Sequence, residues 1–163
     1  MAGAGVHRLC HPRGVVTTAR ALSSETLGAW LVKAGGGQPS TRAHVRDGFA
    51  DVSTWCVQPT YRTELVAAGQ PVLLWVSGTE REHPAGIYAH GRTTGPAAAG
   101  VMPVALTPLG HPLLRSELVG HPGLAGMEVL RMAAGSNPSF VTHEQLRVLA
   151  ELCPDLAADS RES

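Results

Sequence analysis

Val72-Leu73-Leu74-Trp75-Val76-Ser77-Gly78, followed across a polar loop by Ala85-Gly86-Ile87-Tyr88-Ala89-His90, is the stretch on which the fold turns. Five consecutive apolar residues in the first segment are too few for a buried helix and fit a strand covered on both faces. The loop from Thr79 to Pro84 is polar, and the second segment is again rich in apolar and β-forming residues, so the pair predicts a hairpin with a long connection.

Outward from this hairpin, Ala29-Trp30-Leu31-Val32 predicts an earlier strand, stopped by Gly35-Gly36-Gly37, which extended backbone tolerates poorly. A polar connection is expected from there to Ser53, then a short strand over Thr54-Trp55-Cys56-Val57. Pro59 suits the first turn of a helix, Tyr61 and Leu65 share a face of it, and Gly69 supplies its stop. Further strands are expected at Val101 to Leu106 and Met127 to Met132, with a small helix around Leu113 to Val119. Thr142, followed three residues later by Gln145, opens a final helix with a capping-box pattern, and Pro154 ends it. The expected product is an α+β domain over residues 29–153, with about six short strands closing into a partial barrel. Residues 1–28 lack core periodicity and are read as a disordered arm, and 154–163 as an acidic tail.

Composition narrows the function. Of 163 residues, 13 are basic and 13 acidic, so the chain lacks the basic excess of a protein that coats nucleic acid. Recognition of a single base in a pocket remains open. Cys10, Cys56 and Cys153 have no CxxC spacing, which supports neither a disulfide framework nor a cysteine zinc site, and reduced thiols in the cytoplasm are the simplest reading. No apolar stretch reaches the ~20 residues of a membrane span. The histidines lack metal-ligand spacing, so no metal or other cofactor is expected. Ser77-Gly78 lacks the surroundings of a nucleophile elbow, and no base pairs with Cys56, so no catalytic residue is expected.

Several segments, taken in order, resemble the EVE family of PUA-like domains. They are Trp30-Leu31-Val32-Lys33; Trp55-Cys56-Val57 with Tyr61-Arg62; Gly69-Gln70-Pro71 leading into Val72 to Gly78; Ala85-Gly86-Ile87; and Gly135-Ser136-Asn137-Pro138 with Val141-Thr142. The resemblance spans roughly three-quarters of the chain. Gln70 stands where the family commonly has Asp, and the stretch from Ala34 to Ser53 is longer than expected. The resemblance implies a PUA-like, partially closed barrel without chemistry of its own, whose partner is DNA or RNA carrying a modified base such as a methylated cytosine. In bacteria such modules serve defence against modified phage DNA, or RNA metabolism.

A flipped base needs aromatic faces, each worth ~1–3 kcal/mol in stacking, and a few fixed polar groups for its edge. Trp30, Trp55 and Trp75 are the candidate stackers, with Tyr61 beside them; each can equally be core. Trp75 and Ser77 share a strand face by period two, which pairs an indole with a hydroxyl. Arg62 and Arg131 can reach phosphates or a base edge, or simply be solvated. The amide of Asn137 can pair with a base, or build a turn ahead of the helix. The rival is an enzyme on a related ASCH-type barrel, for which Lys33 is the only lysine available; a third reading is a scaffold for protein contacts.

Overall fold

The computed structural model describes residues 22–159. Six strands form one mixed, strongly curled sheet, a half-barrel, in the order β2-β5-β4-β3-β1-β6. They are β1 (Leu27–Gly35), β2 (Thr54–Cys56), β3 (Pro71–Ser77), β4 (Gly86–Thr93), β5 (Val101–Leu114) and β6 (Ser139–Thr142). Helices are short: α1 (Pro39–Arg46), α2 (Arg115–Leu118), α3 (Glu128–Arg131), α4 (His143–Leu152) and α5 (Pro154–Asp159).

The hairpin expected from the central apolar run is present as β3 and β4, paired antiparallel with Leu73 opposite His90. On its other side β3 pairs parallel with β1, placing Trp30 beside Val72 and Val32 beside Leu74. Both strands are therefore interior, and their alternate residues feed two cores. Trp30, Val32, Val72, Leu74, Val76, Tyr88, Met102 and Val104 fill the inside of the curl. Leu31, Leu73, Trp75 and Ile87 face the other way and are covered by Leu118, Met127, Val148, Leu149 and Leu156. Burial on both faces is why this part of the sequence reads as a continuous apolar run.

Five expectations are corrected. Met127 to Met132 is not a strand: Met127 caps α3, and Met127 and Val129 pack into the outer core from a helical turn. The helix after Pro59 is a single 3-10 turn, Thr63–Leu65. There Thr63 Oγ1 donates to the Thr60 carbonyl and accepts from the Thr60 N–H, so side chains close a tight turn before a helix can extend. The strand expected over Val101 to Leu106 continues through Pro108 and Pro112 to Leu114, into the segment expected to begin a small helix. It crosses β4 with a register shift between Ile87 and Ala89. The connection after Gly37 holds α1, and β6 lies immediately before the final helix, where no strand was expected.

The domain limits also move. Leu22 is buried in the inner core and β1 begins at Leu27, so the ordered fold reaches into the segment read as an arm; the rest of that segment, 1–21, lies outside the described residues. The segment read as a tail begins with α5, whose Leu156 is buried, and residues 160–163 lie outside the description. The capping box is present as expected: Thr142 Oγ1 accepts from the Gln145 N–H at 3.2 Å, and Gln145 Oε1 accepts from the Thr142 N–H at 3.0 Å. Among the described residues no helix is long and apolar enough to cross a membrane.

Candidate functional site

The sheet curls until its β2 edge approaches β1, and side chains close the seam. β6 pairs with β1 only as far as Leu31 opposite Ser139, which leaves the next outward-facing backbone groups of β1, those of Lys33, without a strand partner. Buried or half-buried backbone groups need partners. The Lys33 N–H donates to Asn137 Oδ1 at 3.2 Å, and the Lys33 carbonyl accepts from Trp55 Nε1 at 3.0 Å. Asn137 Nδ2 in turn donates to the Cys56 carbonyl of β2 at 3.3 Å. The Gln58 N–H donates to the Asn137 carbonyl at 2.7 Å, which completes the tie.

Beside this seam lies a cleft of about 350 Å³, bounded by Lys33, the seam residues Trp55, Cys56 and Asn137, and α1. Gly36 makes the approach of α1 feasible: its N–H donates to the Ser77 carbonyl at 2.7 Å, and a Cβ there would sit 2.8 Å from that oxygen. From α1, His44 lies 6.0 Å from the Trp55 ring and stacks on Phe49 at 6.4 Å. Phe49 adopts a left-handed backbone (φ 59°) that turns its ring back into the core beneath His44, an uncommon conformation for a bulky residue. The indole of Trp55 is thus held at its N–H and flanked by an imidazole, yet stays only half-buried.

Of the candidate site residues, Trp55 and Asn137 line the cleft. Trp30 and Trp75 do not, with 0% and 1% of their surface exposed, one in each core. The Trp30 N–H donates to Gln70 Oε1 at 2.7 Å, while Gln70 Nε2 donates to the Leu65 carbonyl at 3.0 Å. An Asp at position 70 could not make the second bond, so Gln here closes the turn in its own way. Ser77 Oγ donates to the Ala34 carbonyl at 3.1 Å and fastens β3 to β1. Tyr61 is exposed, and its hydroxyl accepts from the Leu22 N–H at 3.1 Å. Arg131 ends α3 on the surface, outside the cleft.

Arg62 is engaged behind the seam. Its guanidinium makes two 2.8 Å hydrogen bonds to the Glu128 carboxylate and lies 5.2 Å from the Phe140 ring centre. Ser139 Oγ donates to the same carboxylate at 2.7 Å. The hydrogen bonds to Glu128 raise the Arg62 pKa above its ordinary value, against its burial. Burial alone would raise the Glu128 pKa, but the Arg62 and Ser139 hydrogen bonds outweigh it and hold the carboxyl below its ordinary value. Burial pushes the Lys33 ammonium down, partly offset by the charge of Glu128. Lys33 Nζ donates to the Ala133 carbonyl at 3.2 Å. No cluster of three or more His, Cys, Asp or Glu able to hold a metal ion occurs among the described residues.

Sequence reasoning missed the wall of the cleft formed by α1, with Ser40, Thr41 and His44. A legible signal was there: Pro39 at the first helical position after a glycine run, with basic His44 and Arg46 in the last turn.

No family profile matches the chain, and no curated protein matches it. Solved structures do share its shape. Protein Rpa0253 from Rhodopseudomonas palustris superposes with a TM-score of 0.57 at 19% identity, covering 78% of this chain and 94% of that one. Protein PSPTO5229 from Pseudomonas syringae gives 0.61 at 14% identity, covering 76% and 98%. A hypothetical protein from Leishmania major gives 0.60 at 15% identity, covering 79% and 96%. At these identities the likeness shows a common fold, spanning nearly the whole of each of those proteins.

Proposed function

We propose that the chain is a non-catalytic reader of the PUA-like, EVE kind, which takes a modified base of DNA or RNA into the cleft beside Trp55. The observation that carries this reading is the indole of Trp55. Alone among the three tryptophans it keeps ring surface open, and its bond to the Lys33 carbonyl fixes its orientation before any ligand arrives. A pre-set aromatic face beside hydroxyl, amide and imidazole groups is what stacking plus edge recognition requires. The cleft volume lies within the ~300–1,000 Å³ range of small-ligand sites. Zero net charge suits capture of one base better than tracking of a backbone.

The test is a binding screen of single-stranded oligonucleotides, DNA and RNA, that differ only in one modified base. The reading expects one modification to bind at least about tenfold more tightly than its unmodified parent, with a log–log salt slope of about −1 to −3. Equal binding of all oligonucleotides, or a slope steeper than about −5, contradicts it.

A second reading, an enzyme on a related barrel, is favoured by Lys33, which lines the same cleft with a depressed ammonium pKa. Against it, the nearest carboxylate, Glu128, is saturated by Arg62 and Ser139 and lies outside the cleft lining. Lys33→Met separates the two: a reader keeps its discrimination between modified and unmodified base, whereas an enzyme loses turnover.

A further inference from the structure

The N-terminus of α1 also lines the cleft, and it lacks a side-chain cap. The N-cap residue Gln38 makes no side-chain capping bond, and Pro39 at the first helical position has no N–H. The N–H groups of Ser40 and Thr41 therefore have no carbonyl within the helix to receive them, and both residues line the cleft.

Thr41 adds a second, independent observation. It is 3% exposed, yet its hydroxyl makes no hydrogen bond among the described residues. A helical threonine ordinarily donates to the carbonyl three or four residues back. Here the carbonyl four back, that of Gly37, receives the Arg42 guanidinium at 3.1 Å, and that of Gln38 receives the Arg42 N–H. No fully buried side-chain oxygen or nitrogen lacks a partner among the described residues, so the Thr41 hydroxyl keeps part of the little surface this residue retains. A polar group kept in a buried position without a protein partner is left for something that enters the cleft.

We propose that the uncapped N-terminus of α1, together with the Thr41 hydroxyl, forms the polar end of the Trp55 cleft and receives an oxygen acceptor of the ligand. Two N–H groups, a hydroxyl and the positive end of the helix dipole all favour an acceptor there. The shared chemistry is an oxygen lone pair, supplied either by a ring carbonyl of the base or by a phosphate next to it. The inference rests on the reading of the cleft as a ligand site. It extends that reading by assigning α1, in the stretch that is long for the family it resembles, as the element that sets specificity.

The test is an NMR titration of the ¹⁵N-labelled full chain with three probes: 5-methyl-2′-deoxycytidine, its 5′-monophosphate, and inorganic phosphate. It is followed by the same titrations on Thr41→Val and Thr41→Ser. The expected result is a shift of the Ser40 and Thr41 amides, with binding about tenfold weaker in Thr41→Val and within about twofold of wild type in Thr41→Ser, since one hydrogen bond is lost in the first and kept in the second. A response to the nucleoside assigns the acceptor to the base carbonyl; a response only to the phosphate-bearing probes assigns it to phosphate. If Ser40 and Thr41 respond to phosphate while the Trp55 indole is silent to the nucleoside, the base-stacking reading fails and this inference stands. If Trp55 responds but Ser40 and Thr41 do not, or if Thr41→Val binds as tightly as wild type, the inference is overturned and the stacking reading stands. Silence at both ends with all three probes overturns both.

Discussion

Trp75 and Trp55 are the same residue in two short strands, and the sheet places them in opposite surroundings. Trp75 sits in β3, with neighbours hydrogen-bonded on both sides and a helical layer over its face, so its indole is wholly interior. Trp55 sits in β2, at the end of the sheet order, where one side of the strand has no neighbour. Its indole reaches across that gap to a carbonyl of β1 and leaves ring surface on a cleft. Position in the sheet order, rather than residue type, separates a tryptophan that holds the fold from one available to a ligand.

The sharpest way to break this contrast is Trp75→Ala. Removing a fully buried indole leaves a cavity and should cost about 3–5 kcal/mol, against about 1–2 kcal/mol for Trp55→Ala, which loses one hydrogen bond and partial burial. Chemical denaturation of both variants checks this, and equal losses would show that Trp55 is core after all.

Glu128 comes next. The Arg62 and Glu128 side chains keep only 14% and 22% of their surface, so losing the carboxylate strands a guanidinium, and Glu128→Gln should cost about 2–3 kcal/mol near neutral pH. The sign with pH follows from the carboxyl pKa lying below its ordinary value of 4.5 in the folded state. The pair contributes its full stability above 4.5 and loses it as pH falls through the lower, folded value. Stability of the wild type should therefore decline below about pH 4.5 by more than that of Glu128→Gln, narrowing the gap between them. A gap that is constant from pH 7 to 3 would mean that the pair is not formed.

A smaller effect is expected at the seam. Asn137→Ala removes the bonds to Lys33 and Cys56 and should cost about 1–2 kcal/mol. It should also speed hydrogen exchange at the Trp55 indole N–H while leaving that of Trp30 unchanged. Equal exchange at Trp55 in mutant and wild type would show that Asn137 does not hold the seam.

These comparisons also mark what the chain made legible. The β3–β4 hairpin could be read because burial on both faces writes an uninterrupted apolar run, and the start of α4 because a capping box is a local signal. Trp75 and Ser77 were paired correctly on one strand, but period two says nothing about whether a face meets a cavity or a helical layer; that depends on Leu118, Met127 and Leu149, which lie dozens of residues away. Asn137 was read as either turn or base contact. Its actual partners, Lys33 and Cys56, are 104 and 81 residues distant, so no local pattern could name them. β5 was expected to end at Leu106, yet it runs on through Pro108 and Pro112 to Leu114, with a register shift against β4 between Ile87 and Ala89. The α1 wall was overlooked because eight residues between glycines carry too little periodicity to register.

Whether Trp55 serves a ligand is decided by measuring melting and binding on one sample of Trp55→Ala. The modified oligonucleotide selected by the screen is the probe. The expected result is a folded protein, with a melting temperature lowered by no more than several degrees and affinity reduced about 10- to 100-fold, the loss of ~1–3 kcal/mol of stacking. A Trp55→Ala protein that folds and binds as tightly as wild type would contradict it, and so would one that does not fold.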